Sequence, residues 1–235
     1  NPINFISVFD GHGGKAVSKY LKDNLPPYFV KKFRNNIFCE KKKASKYFQK
    51  VSDLLQKDLK NNHPRASNYS GSTACCAVHF LDKNKNPVLW VMNVGDSRAV
   101  LCNKEGNAVA LSKDHKPNST SERSRIKQLG GKIRYDGSDW RIKDLSLSRA
   151  FGDVEATPYV THYPEIFRYR LSKNDRFIIL ACDGLWDVFS NRDATRYVKK
   201  LQKAKFKGNY AKALAQAAID KGSYDNVSVV LLFLK

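Results

Sequence analysis

Asn4-Phe5-Ile6-Ser7-Val8-Phe9-Asp10-Gly11-His12-Gly13-Gly14 opens the chain on an apolar run that stops at a carboxylate, a histidine and glycines. Phe5 to Phe9 has the length and composition of a buried strand. The glycines let the backbone turn tightly there and approach a ligand closely. A carboxylate at the tip of a strand, beside a histidine, suits a metal site or acid–base chemistry. The same residues also describe a strand closing into an Asp-Gly turn. Residues far down the chain bear on which reading holds.

Beyond this strand, Ala16, Val17, Tyr20 and Leu21 have helical spacing in a segment Lys15 to Leu25, which Pro26-Pro27 is expected to stop. A second helix is expected from Ala44 to Leu59, with Tyr47, Phe48, Val51, Leu54 and Leu55 on one face, and His63 to Ser70 reads as loop. The period then changes. Ser72 to Leu81, Val88 to Val94 and Ala99 to Cys102 are β-type runs separated by turn residues, and they read as an antiparallel meander. Ser121 to Leu129 reads as a helix ending at Gly130-Gly131. The polar, irregular stretch Lys132 to Pro164 has the character of a functional flap. Glu165 to Tyr169 and Phe177 to Ala181 return to strand, and the second is apolar throughout, as in a sheet covered on both faces. Helices over Asn191 to Gln202 and Tyr210 to Asp220 and a strand over Val227 to Leu234 complete the chain. With no internal repeat or low-complexity linker, residues 1–235 read as one domain of helix pairs packed on an antiparallel β core.

The 235 residues allow a substantial core. They contain no apolar run of about 18 residues that could span a membrane. No signal-peptide pattern is visible, and a start at Asn1-Pro2 without methionine leaves upstream residues to be expected. Cys39, Cys75, Cys76, Cys102 and Cys182 are odd in number and lack CxxC spacing, which favours buried reduced thiols in an intracellular protein, cytoplasmic or nuclear. The formal charge is +20, much of it between Lys15 and Lys60, including Lys31, Lys32, Arg34 and Lys41 to Lys43. Such a face attracts anionic partners and favours acidic phosphoproteins. The nearby Tyr28, Phe33, Tyr47 and Phe48 fit helix faces and make no stacking platform, so specific nucleic-acid binding is not expected.

Four segments share one grammar, an apolar β run joined to Asp and a small residue or an amide. They are Val8-Phe9-Asp10-Gly11, Val94-Gly95-Asp96-Ser97, Ala181-Cys182-Asp183-Gly184 and, just before the last strand, Ser223-Tyr224-Asp225-Asn226. Asp187 follows Asp183 by one helical turn. Clustered carboxylates raise each other's pKa and are costly to bury without cations or protons. Carboxylates, carbonyls and water are the ligand set of Mg²⁺ or Mn²⁺. A rival reading takes Gly11-His12-Gly13-Gly14-Lys15-Ala16 as a dinucleotide fingerprint. That fold needs a second strand ending in an acid about 20 residues on. Val30-Lys31-Lys32-Phe33-Arg34 supplies neither.

The motifs together resemble the metal-dependent Ser/Thr protein phosphatases of type 2C. The resemblance rests on Phe9 to Gly14, Ser70-Gly71-Ser72-Thr73-Ala74, Asn93 to Arg98, Asp114-His115-Lys116-Pro117, Gly130-Gly131, Leu147 to Asp153, Ala181 to Asp187 and Gly222 to Asn226, in family order across nearly the whole chain. It implies an α+β fold, a four-layer α-β-β-α sandwich with two central antiparallel sheets flanked by helix pairs. It implies that Asp10 bridges two divalent ions, Mg²⁺ or Mn²⁺, that the Gly11 carbonyl binds one and that Asp183 and Asp225 bind the other. Asp96, Asp183 and Asp187 would form a third, weaker site. A water activated between the two tight ions would attack phosphorus in line, and His12 would protonate the departing Ser or Thr oxygen. The segment 114–164 would be the flap beside this cleft.

The alternatives for single residues are plainer. His12 alone is a turn residue, His115 reads as structural within its turn, Ser72 and Thr73 as sheet residues near the site, and Arg149 and Asp153 as residues that pair or brace the flap's return, without a catalytic part. The resemblance also implies an upstream strand carrying a phosphate-binding arginine and one more acidic ligand, which the sequence would lack by starting at Asn1. Arg141-Ile142-Lys143-Asp144-Leu145 has Lys-Asp where the family has a small or amide residue followed by glycine, which bears on flap geometry and substrate preference. The function implied is hydrolysis of phosphoserine and phosphothreonine in phosphoproteins, by a monomer. The alternative is a phosphatase-like scaffold that binds without turnover.

Overall fold

The computed structural model describes residues 3–31, 38, 40–82 and 84–234. The expectations for Lys32, Phe33, Arg34 and Cys39 therefore lie outside the described residues. At the centre are two antiparallel sheets. In the first, β1 (Asn4–Val8), β4 (Ala74–Leu81), β5 (Pro87–Val94) and β11 (Glu165–Arg170) lie in the order β1-β4-β5-β11. In the second, β6 (Arg98–Cys102), β7 (Ala108–Ala110), β12 (Phe177–Ala181) and β13 (Val229–Phe233) lie in the order β13-β12-β6-β7.

Strand alternation divides the interior into three layers of side chains. Cys75, Ala77, Leu89 and Val91 of the first sheet pack with Ala99, Leu101, Ile178 and Leu180 of the second, between the sheets. The opposite face of the first sheet, through Cys76, Val78, Trp90 and Met92, packs on α1 (Ala16–Lys31) and α2 (Lys41–Asn62) by way of Leu21, Phe29, Phe48 and Leu55. The opposite face of the second sheet, through Val100, Phe177 and Ile179, packs on α6 (Asn191–Lys203) and α7 (Tyr210–Asp220) by way of Ala194, Val198, Leu214 and Ala218. The order is helices, sheet, sheet, helices, as the resemblance implied. Every residue of β12 is buried, as its unbroken apolar run requires.

Local expectations differ from the structure in instructive ways. Pro26-Pro27 does not end α1, which runs on to Lys31. Val17, Leu21, Leu25 and Phe29 continue one buried stripe at four-residue spacing. The carbonyls that lose an N–H partner to the two prolines belong to Lys22 and Asp23, both exposed residues, where such a loss costs less than in the core. On α2 the buried face is Ala44, Phe48, Val51, Leu55 and Leu59, while Leu54 is 39% exposed and lies off it. His63 to Ser70 is not a loop throughout, because α3 (Pro64–Tyr69) starts there with proline at its first position. The expected meander is a hairpin of β4 and β5 only. Gly95, at φ +102°, turns the chain out of the first sheet, and β6 joins the second.

The flap also holds more structure than its polarity suggested. Following α4 (Thr120–Gln128), Ile142, Leu147, Ala150, Ala156 and Val160 close over Ile126 as a small core of their own. A hairpin of β8 (Arg134–Tyr135) and β9 (Trp140–Arg141) projects from it.

Candidate metal centre and acid–base pair

The strand ends of both sheets converge on a pocket of about 380 Å³ lined by Asp10, Gly11, His12, Asp96, Asp183 and Asp225, with Arg141, Asp144 and Leu145 of the flap opposite. Asp10 leaves the tip of β1, Asp96 sits in the turn between β5 and β6, Asp183 follows β12, and Asp225 precedes β13. The backbone fixes these positions. Thr73 N–H donates to the Asp10 carbonyl (2.8 Å) and Asp10 N–H donates to Thr73 Oγ1 (3.1 Å), which also bonds Ser97 Oγ at 2.7 Å. Gly184, in the single turn α5 (Asp183–Trp186), admits the 223–226 loop, since a Cβ there would meet the Asn226 carbonyl at 2.4 Å. Asp187 donates its N–H to the Asp183 carbonyl (2.8 Å), so it stands one turn from Asp183 as expected, but it is exposed and outside the pocket lining.

Electrostatics mark the cluster as short of positive charge. Burial first, then the charge of Asp183, pushes the Asp10 carboxyl up to about 7. Asp96, Asp183 and Asp187 are raised as well, chiefly by burial, with Lys116 opposing. Asp183 Oδ1 is buried without a hydrogen-bond partner. Such an orphan carboxylate oxygen among other carboxylates fits a divalent cation with oxygen preference. Cys182 Sγ also lies within 4.8 Å of ligand atoms of Asp10 and Asp183. Burial raises that thiol to about 11, and it donates to the Asn226 carbonyl at 3.2 Å, so it stays protonated beside the cluster and is no ligand for a hard ion.

Lys116 was quoted within its motif but given no role by the sequence. Its ammonium lies 2.6 Å from Asp96 Oδ2 and 3.9 Å from Asp183 Oδ2, partly neutralising the cluster. His115 is structural, as expected: its Nδ1 accepts from Gly95 N–H (3.1 Å) and its Nε2 meets Glu165 at 3.3 Å. Arg98 clamps Asp114 with two bonds of 2.9 and 2.6 Å and lies 5.1 Å over Trp186, bracing the same turn.

Arg149 and Asp153 do not pair with each other. Arg149 turns to buried Glu122 at 2.5 Å. Asp153, in the left-handed region at φ 45°, turns to His12 Nε2 at 2.6 Å. Burial opposes the imidazolium, but the hydrogen bond and charge of Asp153, with Asp96 and Asp10 behind it, raise the His12 pKa above its ordinary value. The pair crosses directly over Gly71, where a Cβ would meet Asp153 Oδ2 at 2.1 Å and His12 Nε2 at 2.5 Å. Three short strands hold the crossing, β10 (Phe151–Gly152), β3 (Gly71–Ser72) and β2 (Gly11–His12), in that order. The Gln56 amide on α2 adds two 2.9 Å bonds to the backbone of Gly152. Neither Asp153 nor Gln56 was identified from sequence as serving the site. The available signal for Asp153 was its place at the end of the Leu147 to Asp153 motif; Gln56 had none.

A family model described as Protein phosphatase 2C matches residues 1–227. A PP2C-like domain-containing protein of Acanthamoeba polyphaga mimivirus is 43% identical over 176 residues, covering 65% of this chain and 98% of that protein. A probable protein phosphatase 2C of Arabidopsis thaliana is 40% identical over 241 residues, covering 99% of this chain but 49% of its own length. Among solved structures, that of a C. elegans sex determining protein superposes with a TM-score of 0.86 at 28% identity, covering 100% of this chain and 57% of that one.

Proposed function

We propose, from the premise that this chain belongs to the protein phosphatase 2C family, that its acidic pocket hydrolyses phosphoserine and phosphothreonine in phosphoproteins with the help of Mg²⁺ or Mn²⁺. The observation that carries the reading is the convergence of Asp10, Asp96, Asp183 and Asp225 on one pocket with a histidine held at its edge by a carboxylate. Asp10 and the Gly11 carbonyl would hold one ion, and Asp10, Asp183 and Asp225 a second. Asp96, Asp183 and Asp187 would hold a weaker third. The bound ions supply positive charge to the phosphoryl group and acidify water to serve as nucleophile near neutral pH.

The remaining work falls to the chain itself. Asp153 accepts from His12 Nε2–H, which leaves Nδ1 to present a proton to the leaving oxygen. The hydrogen bond and charge of Asp153 raise the His12 pKa and so favour the protonated ring. Gly71 and the Gln56–Gly152 bonds fix the pair so that it need not reorganise during the reaction. Among the described residues no helix is long and apolar enough to cross a membrane. Cys75, Cys76, Cys102 and Cys182 are free and buried, in keeping with a reducing compartment, cytoplasm or nucleus. We take the protein to act as a monomer on residues 1–235 as one catalytic domain.

The test is phosphate release from a phosphothreonine peptide. The expected result is turnover with Mn²⁺ or Mg²⁺ and none after EDTA; peptide binding with no release would instead support the scaffold reading. A second expectation separates proton donation from the rest. His12→Ala and Asp153→Asn should slow phosphopeptide hydrolysis on the order of 10²-fold. They should slow p-nitrophenyl phosphate hydrolysis far less, because p-nitrophenolate departs without a proton. Equal losses on both substrates would assign the pair to structure alone.

A further inference from the structure

Ile142 and Leu145 exchange two backbone hydrogen bonds of 3.0 Å across Lys143-Asp144, and both central residues have positive φ, +50° and +67°. This is a two-residue hairpin turn of the type that strongly favours Asn-Gly, yet here it carries two charged side chains. The turn is firmly seated, since Ile142 is buried in the flap's own core. Retaining a lysine in a conformation it disfavours directs attention to what its side chain does there.

On one side, Asp144 and Leu145 line the pocket of the aspartate cluster. On the other, Lys143 and Asp144 line a separate cleft of about 570 Å³ together with Lys132, Arg134 and Tyr159. One carboxylate there faces three cations. Arg134 pairs with Asp144, whereas among the described residues Lys132 and Lys143 have no carboxylate partner. Lys143 Nζ lies 6.0 Å over the Tyr159 ring, which keeps its ammonium at the cleft. A surplus of ammonium groups around a concave site, one chain turn from the phosphoryl pocket, is the arrangement that accepts a second anion on the same ligand.

We propose that the cleft between Lys132, Arg134 and Lys143 is a second subsite that binds an anionic side chain, carboxylate or phosphate, of the phosphoprotein whose target residue occupies the aspartate pocket. The proposal rests on the phosphatase reading given above. Its occupant is a peptide, because the cleft and the phosphoryl pocket are both lined by Asp144, so a single ligand carrying two anionic groups a few residues apart can reach both.

The variant Lys132→Gln/Lys143→Asn removes the unpaired charges and places at 143 a residue that tolerates the left-handed region, so the turn is kept. Three phosphothreonine peptides serve as substrates: one with neutral neighbours, one with Glu two to five residues to either side, and one with phosphoserine at those positions. The native protein should show KM roughly tenfold lower for at least one anionic peptide than for the neutral one. In the variant that ratio should fall to near one, with kcat and p-nitrophenyl phosphate hydrolysis unchanged. Preference for Glu or for phosphoserine identifies which anion the cleft takes. No anionic preference in the native protein, or a preference surviving in the variant, overturns the proposal. Fluorescence anisotropy of the same peptides with EDTA present reads the preference as binding, so an absence of turnover would count against the phosphatase reading and leave this comparison intact. A duplex oligonucleotide that displaces peptide from the native protein alone would assign the cleft to nucleic acid and also overturn it.

Discussion

Asp10→Asn is expected to abolish metal-dependent phosphate release, by at least on the order of 10³-fold, while making the metal-free protein more stable. The two effects have one origin. Asp10 lines the acidic pocket, and burial with the charge of Asp183 pushes its carboxyl up to about 7. An unfolded aspartate titrates near 3.8, so between about pH 4 and 7 the folded, metal-free protein binds the extra proton. Its stability must then fall as pH rises through that window, the opposite of a salt-bridged carboxylate. Asparagine keeps the shape and removes the charge. The shift corresponds to at most about 4 kcal/mol above pH 7, and each kcal/mol moves the melting temperature by about 2–4 °C in a chain of this size. Scanning calorimetry in EDTA at pH 5 and pH 8 should show the native protein melting lower at pH 8 and the variant with a smaller difference. The remainder comes from Asp96, Asp183 and Asp187, which are raised as well. With Mn²⁺ the order reverses: the native protein gains stability by mass action and the variant gains little. A variant that keeps both turnover and its Mn²⁺ response would remove Asp10 from the metal centre.

The aspartates were legible in the sequence because each closes or borders an apolar run, and strand ends of two facing sheets share one rim. The layers were legible for a related reason. Near-continuous burial along β4 and β5 and the solid apolar run of β12 mark sheets covered on both faces, which leaves few ways to arrange the layers. What sequence did not yield was set by tertiary geometry. Pro26-Pro27 is a strong local stop, but the buried stripe through Leu25 and Phe29 outweighs it, and the carbonyls that lose a partner belong to exposed residues. The partner of Arg149 could not be read from spacing. Asp153 lies four residues away and Glu122 twenty-seven, and only the left-handed turn at Asp153 sends the nearer acid to His12. His12 itself was identifiable by its neighbours, whereas its orienting carboxylate lies 141 residues on, across Gly71.

Glu122→Gln is expected to have the largest effect on stability. Glu122 is 1% exposed, and its two oxygens accept from Arg149 at 2.5 Å, from Arg125 at 2.9 Å and from Ser148 Oγ at 2.9 Å. Burial alone would raise its pKa, but the hydrogen bond and charge of Arg149, then Arg125, bring it down to about 2. Glutamine keeps the length but can neither neutralise two guanidinium groups nor accept from both forks. Breaking a buried ion pair in this way costs about 3–5 kcal/mol. The effect has a distinct pH signature. A carboxyl at about 2 when folded and about 4.5 when unfolded gives stability that is full above pH 4.5 and is lost as pH falls toward 2, about 3 kcal/mol in all. Urea denaturation at pH 7, 5 and 3 should show the native protein weakening across the last interval and the variant, already weakened, losing correspondingly less. The damage should also reach the pocket, because Arg149 and Ser148 lead directly to Gly152 and Asp153. A freed flap return lets Asp153 leave His12, so phosphopeptide turnover in the variant should fall at temperatures well below its melting transition. Unchanged turnover there would show that α2, through Gln56, holds Asp153 without help from Glu122.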